Sequence, residues 1–259
     1  MDLGIAGRKA IVCASSRGLG KACAAALAEA GCEVVINGRD EARLQATAME
    51  IAKATGAKVI PVAADVASPD GQQALLSACP EPDILVNNNA GPPVRDFREL
   101  TRQQMLDGVT ANMIVAVELL QKVIGPMTER KFGRIVNITS GSVKMPLAGL
   151  DLSSGARAGL TAFLAGVARS VADRNVTINN LLPGAFHTDR ARTMLGRLAE
   201  KRGTTAEQVA AERIATIPAR RFGDPPEFGA ACTFLCSAQA GYITGQNLLI
   251  DGGAFPGAF

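Results

Sequence analysis

The feature that most constrains this chain is a regular alternation of short apolar runs with longer, helix-patterned segments, repeated from end to end. Apolar runs fall at residues 9–14, 33–37, 58–62, 84–87, 134–138, 177–182 and 247–250. They are continuous rather than alternating with polar residues, the pattern of strands covered on both faces. Between them lie helical patterns at residues 18–30, 40–55, 72–77, 103–130, 154–172 and 225–237, the second with Asp40 as its N-cap. Alternating β and α units predict an α/β architecture with a parallel sheet flanked by helices. Right-handed crossovers then make the sheet doubly wound, a Rossmann fold. The charged stretch 189–217 interrupts the alternation and is expected to form a lid over a site at the strand ends, the alternative being a pair of solvated surface helices.

At 259 residues, the chain is expected to fold as a single domain, residues 1–259. A net charge of +3, not concentrated in one segment, argues against a nucleic-acid partner. Cys13, Cys23, Cys32, Cys79, Cys232 and Cys236 show no metal-ligand spacing, and the single histidine, His187, is distant in sequence. Buried, reduced thiols and no metal are expected. The N-terminal segment lacks a signal peptide's pattern, and no apolar run reads as long enough to cross a bilayer. The expectation is a cytoplasmic protein with no membrane partner.

The first strand runs into Cys13-Ala14-Ser15-Ser16-Arg17-Gly18-Leu19-Gly20 and then a helix. Gly18 and Gly20 permit close backbone approach, and a helix N-terminus offers free N–H groups and a positive dipole to a pyrophosphate. An ordinary tight turn is the alternative. The second strand ends Asn37-Gly38-Arg39, with no carboxylate to grip a ribose 2′-hydroxyl. Arg17 and Arg39 are two guanidiniums suited to a 2′-phosphate, so NADP(H) is favoured over NAD(H).

The loop resembles the T-G-x-x-x-G-x-G of the short-chain dehydrogenases/reductases, with Cys13 and Ala14 in place of the leading Thr-Gly. Ala14 has less backbone freedom than glycine, so an altered loop is expected. The resemblance continues through Asp65-Val66, Asn87-Asn88-Asn89-Ala90-Gly91, Asn112, Asn137-Ile138-Thr139-Ser140, Pro183-Gly184 with Thr188, and Thr244-Gly245 leading to Asp251-Gly252-Gly253. It spans essentially the whole chain in the family's order, and the β-ketoacyl-acyl-carrier-protein reductases are the most similar branch. The Asn-Asn-Ala-Gly motif fits in two registers, with Asn88 inside either. By resemblance, Ser15, Ser16, Arg17, Gly18, Leu19, Gly20, Asn37, Arg39, Asp65, Val66, Asn88, Arg157, Pro183, Gly184 and Thr188 are the cofactor-binding positions.

The resemblance also implies a catalytic set of Asn112, Ser140, Ser153 and Arg157. Here the chain departs from its family, which places a tyrosine acid where Ser153 stands and a lysine where Arg157 stands. The single tyrosine is Tyr242. Arg157 keeps a cation that can bind ribose hydroxyls or hold water. Ser153 is a far weaker acid than a phenol of pKa about 10. Three substitutes for the missing acid are considered: Ser153 relaying a proton from an Arg157-held water, Lys144, and His187. Their alternatives are a helix N-cap for Ser153, a solvated charge for Lys144 and a packing residue for His187. The resemblance further implies a small-molecule carbonyl or acyl-thioester substrate, and a homo-oligomer, commonly a tetramer, with the tail 254–259 near a subunit contact. It also sets Lys131 and Arg174 near positions that dock an acidic carrier protein.

Overall fold

Seven short strands form one parallel sheet: β1 (Lys9–Val12), β2 (Glu33–Gly38), β3 (Val59–Ala63), β4 (Ile84–Asn87), β5 (Gly133–Ile138), β6 (Val176–Pro183) and β7 (Asn247–Ile250). They are ordered β3-β2-β1-β4-β5-β6-β7. This computed structural model describes residues 2–92 and 94–258; Met1 and Phe259, the ends of the expected domain and tail, lie outside the described residues. A sheet wound outward from β1 in both directions has one switch point, between the C-terminal ends of β1 and β4. The divergence of the flanking loops opens a crevice there.

Helices α1 (Gly18–Glu29), α2 (Glu41–Thr55), α3 (Pro69–Ala78), α4 (Arg102–Val109), α5 (Val115–Glu129), α6 (Asp151–Val171), α7 (Asp189–Arg202), α8 (Ala206–Ala215) and α9 (Pro225–Cys236) connect the strands. One face of the sheet buries Leu27, Leu44, Phe228 and Leu235 of α1, α2 and α9. The other buries Leu75, Leu119, Val123 and Leu164 of α3, α5 and α6. All six cysteines are free and buried.

Three expectations are corrected. The helix expected at 72–77 starts earlier, because Ser68 caps the Gly71 N–H and Pro69 supplies a ready-made first turn. The single helix expected at 103–130 is α4 and α5 joined by a π-helical turn, Thr110–Ile114. That joined run, Arg102–Glu129, is 28 residues and long and apolar enough to cross a membrane by length and composition, contrary to the sequence reading. Here Leu119, Val123 and Met127 pack one of its faces against the sheet.

Two polar devices lie within the sheet. Arg134 of β5 is the largest fully buried side chain. It donates to the carbonyls of Ser237 (2.9 Å), Gly133 (2.9 Å) and Asn175 (2.8 Å) and to Asn175 Oδ1 (3.1 Å), and its guanidinium lies 4.4 Å from the Phe132 ring centroid. Burial lowers its pKa. Toward the other end of the strands, Asn87, Asn137, Asn180 and Asn247 stand side by side on β4, β5, β6 and β7. Each bonds the next through its amide, at 2.9, 3.1 and 2.8 Å. The rung crosses four strands and ends under the crevice.

Candidate active site

The turn after β1 is held from below. Ser15, fully buried, donates to the Val12 carbonyl (2.6 Å) and accepts from the Asn37 N–H (2.9 Å). Asn37 accepts from the Ala14 N–H (3.2 Å) and donates to the carbonyls of Val62 (3.1 Å) and Ala64 (3.0 Å). These two side chains build the loop and are spent on it. Ala14 sits at φ +45°, the left-handed region, where an L side chain costs about 1–2 kcal/mol. Its carbonyl accepts from Asn88 Nδ2 at 3.1 Å, tying the first loop to the end of β4. The same carbonyl would lie 2.5 Å from a Cβ at position 20, which explains Gly20.

The N-terminus of α1 is open. Arg17 is extended there and its side chain provides no cap. Gly18 adopts φ +60°, and Thr188 at the head of α7 faces it, with Cγ2 3.9 Å from where a Cβ would be. Thr188 itself caps the Ala191 N–H. Ser16 and Leu19 are half-buried along this groove, Val66 is buried, and Arg17, Arg39 and Asp65 are exposed at its rim. Arg39 lies 3.9 Å from Asp65, a loose exposed pair. Pro183 and Gly184 close the C-terminal end of β6, with the Gly184 N–H bound to Ile250.

Of the two registers of the Asn-rich motif, Asn87 ends β4 and joins the asparagine rung, while Asn88 reaches the phosphate loop. Asn89 donates to the Ala111 carbonyl (3.2 Å).

The chemical centre lies at the ends of β4 and β5. Ser140 accepts from the N–H (3.1 Å) and the hydroxyl (2.9 Å) of Ser142. A serine hydroxyl both donates and accepts, so Ser140 keeps hydrogen-bonding capacity beyond Ser142. Ser153 and Arg157 are one turn apart on α6 and both buried. Arg157 Nε donates to Ser153 Oγ (3.2 Å) and Nη1 to the Ile138 carbonyl (2.7 Å). Its Nη2 has no hydrogen-bond partner among the described residues. Desolvation pushes the Arg157 pKa down to about 10, and the nearby Arg190 pushes the same way. Ser153 is the third residue of α6 rather than its N-cap, which is Leu150. Asn112 sits in the π turn; it donates to the Gly108 carbonyl (3.1 Å), and its Oδ1 is buried without a donor. So is Asn87 Oδ1. Both residues line a cavity of about 20 Å³ that Arg157 also lines, room for roughly one water.

Other candidates fall elsewhere. The His187 ring packs edge-on against Phe222 at 5.2 Å. Lys144 lies 5.5 Å from the Phe255 ring centroid. Tyr242 is fully exposed before β7. Lys131 and Arg174 are brought together, since Asn175 bonds the Lys131 carbonyl. They precede β5 and β6, at the opposite end of the sheet from Ser140.

Two groups gave no sequence signal. Ser142 holds the Ser140 hydroxyl through both its N–H and its own hydroxyl. Arg190, on the first turn of α7, lays its guanidinium over Gly91, 2.9 Å from where a Cβ would stand. Burial of its head lowers its pKa although the residue is open to the cleft.

A doubly wound parallel sheet with an uncapped glycine loop at its switch point defines the dinucleotide-binding class of α/β proteins. Within that class, the chain belongs to the short-chain dehydrogenase/reductase family. Residues 13–254 match a family model described as enoyl-(acyl carrier protein) reductase. The chain is similar to the 3-oxoacyl-[acyl-carrier-protein] reductase FabG of Vibrio cholerae, 33% identical over 257 residues, covering 98% of this chain and 99% of that one. It is 32% identical to the NADPH-dependent reductase BacG of Bacillus subtilis over 253 residues, covering 95% and 97%. Among solved structures, L-sorbose reductase from Gluconobacter frateurii, complexed with NADPH and L-sorbose, matches with a TM-score of 0.94 at 28% identity, covering 99% and 100%. The family model and the relatives are named for different reductions, so membership leaves the reaction to the site.

Proposed function

We propose that this protein is an NADP(H)-dependent reductase interconverting a carbonyl and an alcohol, with Ser140 orienting the substrate oxygen. The observation that carries the reading is the place of Ser140, just past the end of β5 and held by the N–H and hydroxyl of Ser142. The residues also fit the cofactor. The uncapped first turn of α1, Gly18 and Thr188 suit a pyrophosphate, and Arg17 and Arg39, with no carboxylate at the tip of β2, suit a 2′-phosphate. Relatives named for NADPH support the same choice. When bound, the cofactor supplies the hydride.

The chain's own residues supply the rest. Ser140 donates to the carbonyl oxygen. Arg157, cationic and desolvated, stabilises the charge that grows there. Ser153 accepts from Arg157 Nε, which leaves its own proton free. An alkyl alcohol and the product alcohol have similar acidity, so Ser153 acts as a relay from water rather than as a proton store. The water-sized cavity between Asn87, Asn112 and Arg157 is the natural reservoir. The segment 189–217, folded as α7 and α8, serves as the lid. Exposed Met105, Leu106, Ile114 and Phe163 on α4 to α6 support a homo-oligomer. A second reading, a non-catalytic NADP(H)-binding protein, is favoured by the absence of any phenol at Ser153.

NADPH oxidation with a panel of ketones and β-ketoacyl thioesters separates the two. The reductase reading expects turnover that Ser140→Ala lowers by about 10²-fold. NADPH binding without turnover supports the second reading instead.

A further inference from the structure

The asparagine rung has a direction, and one backbone carbonyl sets it. A carbonyl only accepts, so Asn137, which bonds the Asn179 carbonyl at 3.3 Å, presents its Nδ2 to β6. The same Nδ2 reaches Asn180 Oδ1, and Asn137 Oδ1 is turned back to receive Asn87 Nδ2. Asn180 then presents its own Nδ2 to Asn247 Oδ1. All four amides therefore point the same way. Their N–H ends run toward the edge strand β7, where Asn247 is exposed, and their carbonyl ends toward β4. The last oxygen in the row, Asn87 Oδ1, is buried and has no donor.

That open end lies at the Arg157 cavity, which Asn87, Asn137 and Arg157 line together. Arg157 is tied to the rung as well, since its Nη1 bond at 2.7 Å goes to Ile138, the residue after Asn137 on β5. Asn112 adds a second unmatched oxygen there, fixed by its own bond to the Gly108 carbonyl. A row of aligned amides behaves as a helix does: partial negative charge gathers at its carbonyl end, and each bond polarises the next. Of the residues lining the cavity, only Arg157 and Cys13 can carry charge, and burial pushes the Cys13 thiol up to about 12. Burial opposes the Arg157 cation, and so does Arg190 from α7. The negative end of the rung is what the cavity offers in return.

We infer that Asn180 and Asn247, remote from the crevice end of the rung, are positioning residues for Arg157: the four amides act as one dipole whose open carbonyl end, at Asn87, helps hold the guanidinium as a cation. Its bearing on catalysis rests on the role given to Arg157 in the reductase reading, but the rung is tested without turnover. Arginine labelled with carbon-13 at Cζ is titrated by NMR in the full-length apo protein from about pH 8 to about pH 12. The Arg157 signal is assigned by its loss in Arg157→Lys. Asn180→Leu is expected to lower the proton affinity of Arg157 about threefold. Asn180→Asp still accepts from Asn137 but brings a full negative charge, and should raise that affinity about threefold or more. Opposite signs separate a dipole from damage, since lost packing would move both variants the same way. The Arg134 signal, from the base of β5, should keep its chemical shift and mark an intact fold. Asn247→Asp makes the same test at the exposed edge, where folding is least at risk, and is expected to raise the affinity about twofold. An unchanged Arg157 titration in these variants, or shifts of one sign in both Asn180 variants, overturns the inference. Where turnover is present, the high-pH limb of kcat/KM should move with the titration, and a limb that stays put while the titration shifts overturns the positioning role. A protein with no turnover strikes the reductase reading instead, and the titration still decides the rung.

Discussion

Arg134 and Arg157 make an instructive pair. Arg134 stands on β5 and Arg157 on α6, bonded to the β5 carbonyl of Ile138; both are buried, and neither meets a carboxylate among the described residues. Arg134, at the base of β5, spends its donors on backbone carbonyls and Asn175 and lays its plane on Phe132. Arg157, at the top, donates once to Ser153 and once to Ile138 and leaves Nη2 unmatched. The first is a complete internal joint. The second is an incomplete one, facing a crevice. Burial alone therefore does not distinguish the two; the state of their donors does.

Swapping each arginine for methionine breaks the comparison most directly. Arg157→Met is expected to cut kcat/KM by about 10²–10³-fold, because its charge faces the reacting oxygen. Its unfolding free energy should move by no more than about 1 kcal/mol, since a poorly compensated buried charge is removed. Arg134→Met should do the reverse. It removes four hydrogen bonds, three of them to carbonyls, and is expected to cost about 3 kcal/mol or more of stability in urea unfolding, with little change in kinetics per folded molecule. If both variants lost stability equally, the distinction between joint and site would fail.

The two regions also part on pH. Folded Arg157 gives up its proton near pH 10, below where an unfolded arginine does, with desolvation the main cause. Between those values the unfolded chain binds more protons, so this group's contribution to stability rises with pH there. Catalysis runs oppositely: kcat/KM should fall as pH passes about 10, when the cation is lost. Arg190→Lys keeps a charge nearby and should leave this limb in place; Arg190→Met removes the repulsion and should move it upward. A pH–rate profile in each variant reads this directly. The smallest effect is expected at Ala14, whose left-handed backbone costs about 1–2 kcal/mol. Ala14→Gly relieves that but enlarges the unfolded ensemble by about 0.4–1 kcal/mol. A net gain below about 1 kcal/mol in thermal unfolding is expected, and a loss would mean the methyl group packs favourably.

Much of the scaffold was legible in the residues. Continuous apolar runs marked all seven strands within a residue or two, including the edge strands β3 and β7, which are only partly covered. The glycine loop after β1 was legible because Gly18 and Gly20 answer a local need, one for positive φ and one for close approach to Ala14. What depends on tertiary approach was not. A π turn carries the same residue types as the helix around it, so the shift at Asn112 left no trace. Arg190 looked like one charge among many on a polar helix until α7 was set down over Gly91. The loop position of Ser15 and Asn37 is visible in sequence; the hydrogen bonds by which they hold that loop are not. The asparagine rung needed the register of four strands at once.

The exposure of Tyr242 has an optical consequence. The chain contains no tryptophan, and its single tyrosine stands in water before β7. The protein is therefore nearly dark in the near ultraviolet, and protein-to-dihydronicotinamide energy transfer is all but absent. Emission from a bound reduced nicotinamide would be seen against almost no background. A single tryptophan introduced on α7, at Leu198, would become the chain's one bright beacon and would report on the surroundings of that helix by itself.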